Sequence, residues 1–129
     1  MRFALAWAPA LAIAALIFWL SAIPGLSVTT GSLELILRKG AHLTIYAALG
    51  IACWRGAGHH GLRGRRRAVA AWGLAVAYAV TDELHQLTVP SRVGSPVDVG
   101  IDAVGAALGL VATALLAPRL RPWRQPALR

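Results

Sequence analysis

Residues 98–117 read DVGIDAVGAALGLVATALLA, an apolar run long enough to cross a bilayer that nevertheless opens on two carboxylates. A hydrocarbon core about 30 Å thick needs roughly 20 apolar residues in a helix. Asp98, Asp102, Gly105 and Gly109 are spaced by three and four, so they share one helical face. Small residues four apart let helices approach closely in lipid. The face that packs is therefore the face that carries the acids, which turns Asp98 and Asp102 toward the interior of a bundle.

Working outward, three more apolar blocks precede this one. Residues 3–23, FALAWAPALAIAALIFWLSAI, hold no charge, and Pro24-Gly25 ends them; Pro9 predicts a mild kink. The block is longer than a signal-peptide core, and Ser21-Ala22-Ile23-Pro24 is a poor cleavage site, so it reads as a retained span. The second apolar stretch, from Lys39 to Trp54, is short for a crossing, so its helix is expected to begin a turn earlier, giving a span over about 37–55. The third covers about 67–84 and leads into Asp82, Glu83, His85 and Gln86. The fold expected is all-α: one domain over residues 1–129, an integral membrane four-helix bundle.

Composition agrees. The chain is 57% hydrophobic and 14% charged, with a mean hydropathy of +0.62, where a soluble domain carries about a quarter charged residues. The single cysteine, Cys53, lies in an apolar block and permits no intrachain disulfide. A net charge of +8 would suggest nucleic acid in a soluble protein. Here the arginines lie between and beyond the spans, where positive charge sets orientation, so nucleic-acid binding is not expected.

Arg55, Arg63, Arg65, Arg66 and Arg67 lie between the second and third spans, Arg119, Arg121, Arg124 and Arg129 in the tail, and Arg2 at the start. In a four-span chain these segments share one side. That side is cytoplasmic, and both termini are inside. All five acids, Glu34, Asp82, Glu83, Asp98 and Asp102, then fall on the outer side, with Arg38, Lys39, Arg92, His42 and His85. Ionisable groups at a membrane edge pair with one another or line a cavity. Helical spacing groups Arg38, His42 and Tyr46 on one stripe and Tyr78, Asp82, His85 and Gln86 on another. This outer polar layer is the one site-like concentration in the sequence.

Lys39-Gly-Ala-His42 followed by Tyr46 resembles the K-x-x-H-x-x-x-Y opening of the VanZ-like family. Asp82-Glu83-Leu84-His85-Gln86, then Pro90-Ser91-Arg92, then Asp98, Gly105 and Gly109, resembles its D-E-x-H-Q … P-x-R … D … G-x-x-x-G signature. The motifs run from Leu35 to Gly109. Where the family commonly has asparagine four residues after the aspartate, this chain has Asp102, which either changes the charge of the site or shares a proton. The resemblance implies a bacterial inner-membrane protein; the founding member is associated with resistance to teicoplanin, a glycopeptide with a lipid tail that targets cell-wall precursors.

Two roles follow for the outer layer. As a membrane enzyme acting on envelope or lipid-linked material, Glu83 or Asp82 would be the general acid or base with His85 or His42 as partner. Thr81, Thr88, Ser91 and Ser95 form no recognisable nucleophile elbow. As a binding protein, it would hold an anionic headgroup, a lipid-linked precursor or the lipid tail of a lipoglycopeptide. Arg38, Lys39 and Arg92 would supply positive charge, and Gln86, Tyr46, Asp98 and Asp102 would complete the contacts. No cofactor is assigned. His42, Glu83, His85 and Asp98 are chemically suited to a metal, but no spacing is diagnostic, and no metal site is assigned from sequence. The bland alternative is a buried ion-pair network that fixes helix register.

Remaining features read plainly. The five tryptophans, Trp7, Trp19, Trp54, Trp72 and Trp123, fit interfacial belts or packing, and Tyr46 and Tyr78 either serve the site or anchor at the interface. Residues 56–64 read as a flexible loop containing His59-His60, and the tail after Pro118 as a disordered segment near lipid headgroups. Gly105-x-x-x-Gly109 leaves two uses open, a homodimer or packing within the chain.

Overall fold

The computed structural model describes residues 2–25 and 30–116, with the side chains of residues 2 and 3 left aside. The expected tail after Pro118, including Trp123 and the last four arginines, lies outside the described residues. Within them the chain is all-helical: α1 (Arg2–Ser21), α2 (Gly31–His59), α3 (Gly64–Gln86) and α4 (Pro96–Leu116).

The helix ends follow from local chemistry. Proline fits the first turn of α4, where its missing N–H would have no partner in any case, and Asp98 in that turn complements the positive end of the helix dipole. After α1 the chain turns on Gly25 at φ +58°. The apolar blocks understate α2 and α3. Helix α2 begins at Gly31 rather than near residue 37 and continues through Gly56 to His59, so most of the expected loop over 56–64 is helical. The link to α3 is residues 60–63. Charged residues end an apolar run, whereas backbone hydrogen bonding does not stop there, so the apolar pattern missed the ends of these helices.

The helices alternate in direction. Trp72 donates to the Ala103 carbonyl across the antiparallel α3–α4 pair, and Arg67 to the Trp54 carbonyl across α2–α3. Helices α2 and α4 run parallel and form the most extensive contact; Lys39 pairs with Asp98, His42 with Asp102, and Leu43 and Ala47 face Gly105 and Gly109. A Cβ at Gly105 would strike the Leu43 carbonyl, and one at Gly109 the Ala47 carbonyl; on the facing helix, a Cβ at Gly50 would lie 2.8 Å from the Ala106 carbonyl oxygen. The glycine face is thus filled by α2 of the same chain, so any second copy would need another surface.

The core is built from small residues. Ala71, Ala75 and Ala79 form a fully buried stripe on α3, which continues at the same spacing into buried Asp82, Glu83 and Gln86. Large side chains point outward on every helix, among them Leu11, Phe18 and Trp19 on α1, Leu33 and Ile36 on α2, Leu74 and Leu84 on α3, and Leu108 and Leu115 on α4. Carboxylates inside and leucines outside invert the arrangement that water selects. Helices α1 and α4 are each long and apolar enough to cross a membrane.

One end of the bundle carries Arg55, Arg63, Arg65, Arg66 and Arg67, and the other all five acids. At the arginine-rich end the Arg67 guanidinium lies 3.2 Å over the Trp54 ring and against Gly58, whose lack of a side chain makes room for it. Trp7 packs on Gly56 and donates to His60 at 2.9 Å.

Candidate functional site

The acidic end is assembled from the end of α3 and the early turns of α2 and α4. Lys39 on α2 meets Asp98 on α4 at 2.7 Å, half-exposed. One turn deeper, His42 Nδ1 meets Asp102 Oδ1 at 3.0 Å, with Asp102 wholly buried. The one-turn repeat on both helices follows from their parallel direction, which brings successive stripe residues into successive contacts.

Helix α3 completes the cluster. The Gln86 side-chain amide donates to Asp82 Oδ2 and to Glu83 Oε1, both at 3.1 Å. The Ser95 backbone N–H donates to the other Glu83 oxygen at 2.7 Å. That approach depends on Gly94, where a Cβ would collide with the Glu83 carbonyl oxygen. Glu83 is therefore held from both sides. Its carboxylate, His42 and Asp102 each offer a ligand atom within 4.8 Å of the others. Buried Asp82 Oδ1, Asp102 Oδ2 and the Tyr46 hydroxyl have no hydrogen-bond partner among the described residues. Such buried polar atoms call for an explanation, because an unmet acceptor costs about 1–3 kcal/mol.

A groove of about 180 Å³ runs between α1 and α2 beside this cluster. Its walls are Ile17, Leu20, Ser21, Leu37, Ala41 and Ile45; Glu34, Arg38, His42, Tyr46 and Arg92 supply its polar lining. The stripe of Arg38, His42 and Tyr46 seen in the sequence is this wall of α2.

The candidate residues thus divide. Lys39, His42, Asp82, Glu83, Gln86, Asp98 and Asp102 come together between α2, α3 and α4. Tyr46 lies one turn below His42, its ring stacked against the imidazole with centroids 6.4 Å apart. His85 turns toward α1 and stacks on Phe18, with ring centroids 4.4 Å apart. The i, i+3 spacing put it with Asp82, but on a helix in the middle of a bundle that spacing spans two neighbours. Arg92 stays in the groove's polar lining but stands apart from the acidic cluster and caps α1: its Nε donates to the Ile23 carbonyl at 3.1 Å and an Nη to the Leu20 carbonyl at 2.9 Å. Leu20 lies in the last turn of α1, where carbonyls lack the regular helical partner, and Ile23 lies two residues past the helix end. Tyr78, whose position in the sequence suits either a site or an anchor residue, donates to the Ala14 carbonyl on α1. Sequence reasoning missed the Ser95 N–H and Gly94; the available clue was a glycine just before Ser95 and the helix-starting Pro96.

Chemically, a histidine backed by a buried carboxylate, with a second carboxylate near it, can move a proton or take a cation. The groove beside it can seat an apolar chain.

No curated protein and no solved structure matches the chain. The VanZ/LLP1 family model matches residues 5–117, which contain all four helices but for the first residues of α1, the acidic cluster and the groove. The chain is a membrane protein of the VanZ/LLP1 family.

Proposed function

We propose that this protein is a multi-pass protein of the bacterial cytoplasmic membrane, with four spans and both termini in the cytoplasm, that holds anionic amphiphiles of the envelope in its α1–α2 groove at the outer leaflet. The inverted exterior supports four spans, since α2 and α3 also turn leucines and valines outward. The arginine-rich end supports a cytoplasmic placement of that end.

One observation carries the binding role. The groove is apolar along Ile17, Leu20, Leu37 and Ile45 and carries Arg38 and Arg92 in the same lining. An acyl chain would lie along the first set and a phosphate or carboxylate against the second. At about 180 Å³ it is smaller than a pocket for a whole drug-sized ligand, about 300–1,000 Å³. It would seat part of a ligand whose remainder stays in lipid. A lipid-linked cell-wall precursor and the tail of a lipoglycopeptide such as teicoplanin share this chemistry, so occupancy of the groove would alter sensitivity to the drug.

The test is retention of lipid through purification and native mass spectrometry. The wild type should keep phosphatidylglycerol over phosphatidylcholine. Arg38→Gln should lose that preference, and Ile45→Trp, which fills the groove, should lose both. Equal retention of the two lipids by wild type and Arg38→Gln would refute the binding role.

A second reading, acid–base chemistry on the bound ligand, is favoured by one contact. His42 lines the groove while Asp102 holds its Nδ1 from behind. Glu83→Gln would then abolish turnover of a lipid-linked substrate without altering its retention.

A further inference from the structure

We infer that the acidic end of the bundle is a binding site for a divalent cation of the zinc class, with His42, Glu83 and Asp102 as its protein ligands. The three residues come from three helices, and their ligand atoms lie within 4.8 Å of one another. His42 is partly buried, while Glu83 and Asp102 are 5% and 0% exposed.

Proximity of acids is not itself a site, since carboxylates can share protons or pair with lysine. Two observations go further. First, Asp102 is fully buried and one of its two oxygens meets no donor among the described residues, and the same holds for one oxygen of Asp82. Among the described residues the ion pairs at this end are Lys39 with Asp98 and His42 with Asp102, which leaves Asp82 and Glu83 with no cation paired to them. The cluster is short of positive charge where water is scarce. Second, the supports that orient metal ligands are already in place. Gln86 bridges Asp82 and Glu83 through one amide nitrogen, and the Ser95 N–H fixes the second Glu83 oxygen. Ligating carboxylates are commonly held in this way, and losing such support costs about 10- to 100-fold in metal affinity.

The donor set selects the metal. One imidazole nitrogen with two carboxylate oxygens suits zinc and its neighbours, whereas magnesium and calcium take oxygen alone. Three protein ligands leave zinc one coordination position open, as in sites that engage a further ligand. His42 also lines the groove, so a cation here would add a positive contact next to the groove's polar lining. The cation site does not rest on the groove being occupied.

The experiment uses the full chain in detergent micelles, stripped with chelator and dialysed against Zn²⁺ with excess Mg²⁺, with bound metal measured by mass spectrometry. Wild type should hold one equivalent of zinc. Glu83→Gln and Asp102→Asn should each weaken binding at least ten-fold, and His59→Gln, at the other end of the bundle, should bind as wild type does. Zinc should raise the thermal midpoint of wild type and leave that of Glu83→Gln unmoved. Should Asp102→Asn lose its helical circular dichroism, Glu83→Gln decides. Zinc no higher in wild type than in buffer, full binding by Glu83→Gln, or loss confined to His59→Gln would each overturn the site. Because lipid takes no part in this titration, its failure and that of the groove are read separately.

Discussion

Replacing Gly105 by alanine adds one methyl group, and the fold predicts that it will be among the costlier single changes in the chain. The new Cβ would collide with the Leu43 carbonyl, a backbone atom that no rotamer change can move. Carbon and oxygen atoms in contact ordinarily sit about 3.5 Å apart, so α4 must back away from α2. That loosens the His42–Asp102 contact one turn away, at present 3.0 Å. Overpacking of this kind costs about 1–3 kcal/mol, against about 1 kcal/mol gained because alanine favours a helix over glycine. The net expectation is a loss of up to about 2 kcal/mol. Gly109→Ala meets the Ala47 carbonyl in the same way. The double variant should cost less than the sum, because one retreat of α4 relieves both collisions. Gly73→Ala is the matched control: it lies inside α3 with nothing within 4 Å of the added Cβ, and should gain about 0.5–1 kcal/mol. Unfolding in mixed micelles, followed by tryptophan fluorescence, compares these four variants. If Gly105→Ala is as stable as Gly73→Ala, the α2–α4 packing described here is wrong.

Three other perturbations separate the parts of the account. Arg92→Gln removes two charged hydrogen bonds to the end of α1 and should cost about 1.5–3 kcal/mol in the same assay, with Arg92→Lys restoring less than half because lysine lacks the planar fork; a lysine variant equal to wild type would leave charge alone as the role of Arg92. Arg67→Lys weakens the stack on Trp54 and removes the Nε–H bond to its carbonyl, so a loss of about 1 kcal/mol and a changed tryptophan emission are expected, and an unchanged spectrum would contradict that stack. In a Gram-positive host at matched membrane levels, wild type should lower teicoplanin susceptibility while Glu83→Gln and empty vector do not; wild type behaving as empty vector would give this chain a different task from the family's founding member.

How much of this was legible in the sequence depends on whether a feature belongs to one helix or several. Single-helix features were readable. Pro24-Gly25 closes α1, and the shared face of Asp98, Asp102, Gly105 and Gly109 was visible from spacing because all four lie on one cylinder. Features made between helices were not. The proximity of His42, Glu83 and Asp102 depends on how three helices are rotated about their axes, and no spacing within one helix reports that. His85 shows the same gap: its spacing from Asp82 is right, yet its ring goes to Phe18 on α1. Arg92 was readable as a cation near the site, but its engagement with the end of α1 needed the position of a helix some seventy residues earlier in the chain. The early start of α2 at Gly31 was hidden because Glu34, Arg38 and Lys39 interrupt the apolar pattern without interrupting the helix.

The envelope role requires that the acidic end and its groove face out of the cell. In a Cys53→Ala background, Ser91→Cys marks the exposed loop at the acidic end and His59→Cys the arginine-rich end. Labelling with a membrane-impermeant maleimide in intact bacterial cells stripped of their outer layers reads the two directly. Position 91 should label in intact cells and position 59 only after the membrane is opened. Labelling of position 59 in intact cells, with position 91 protected, would put the cluster in the cytoplasm and contradict it.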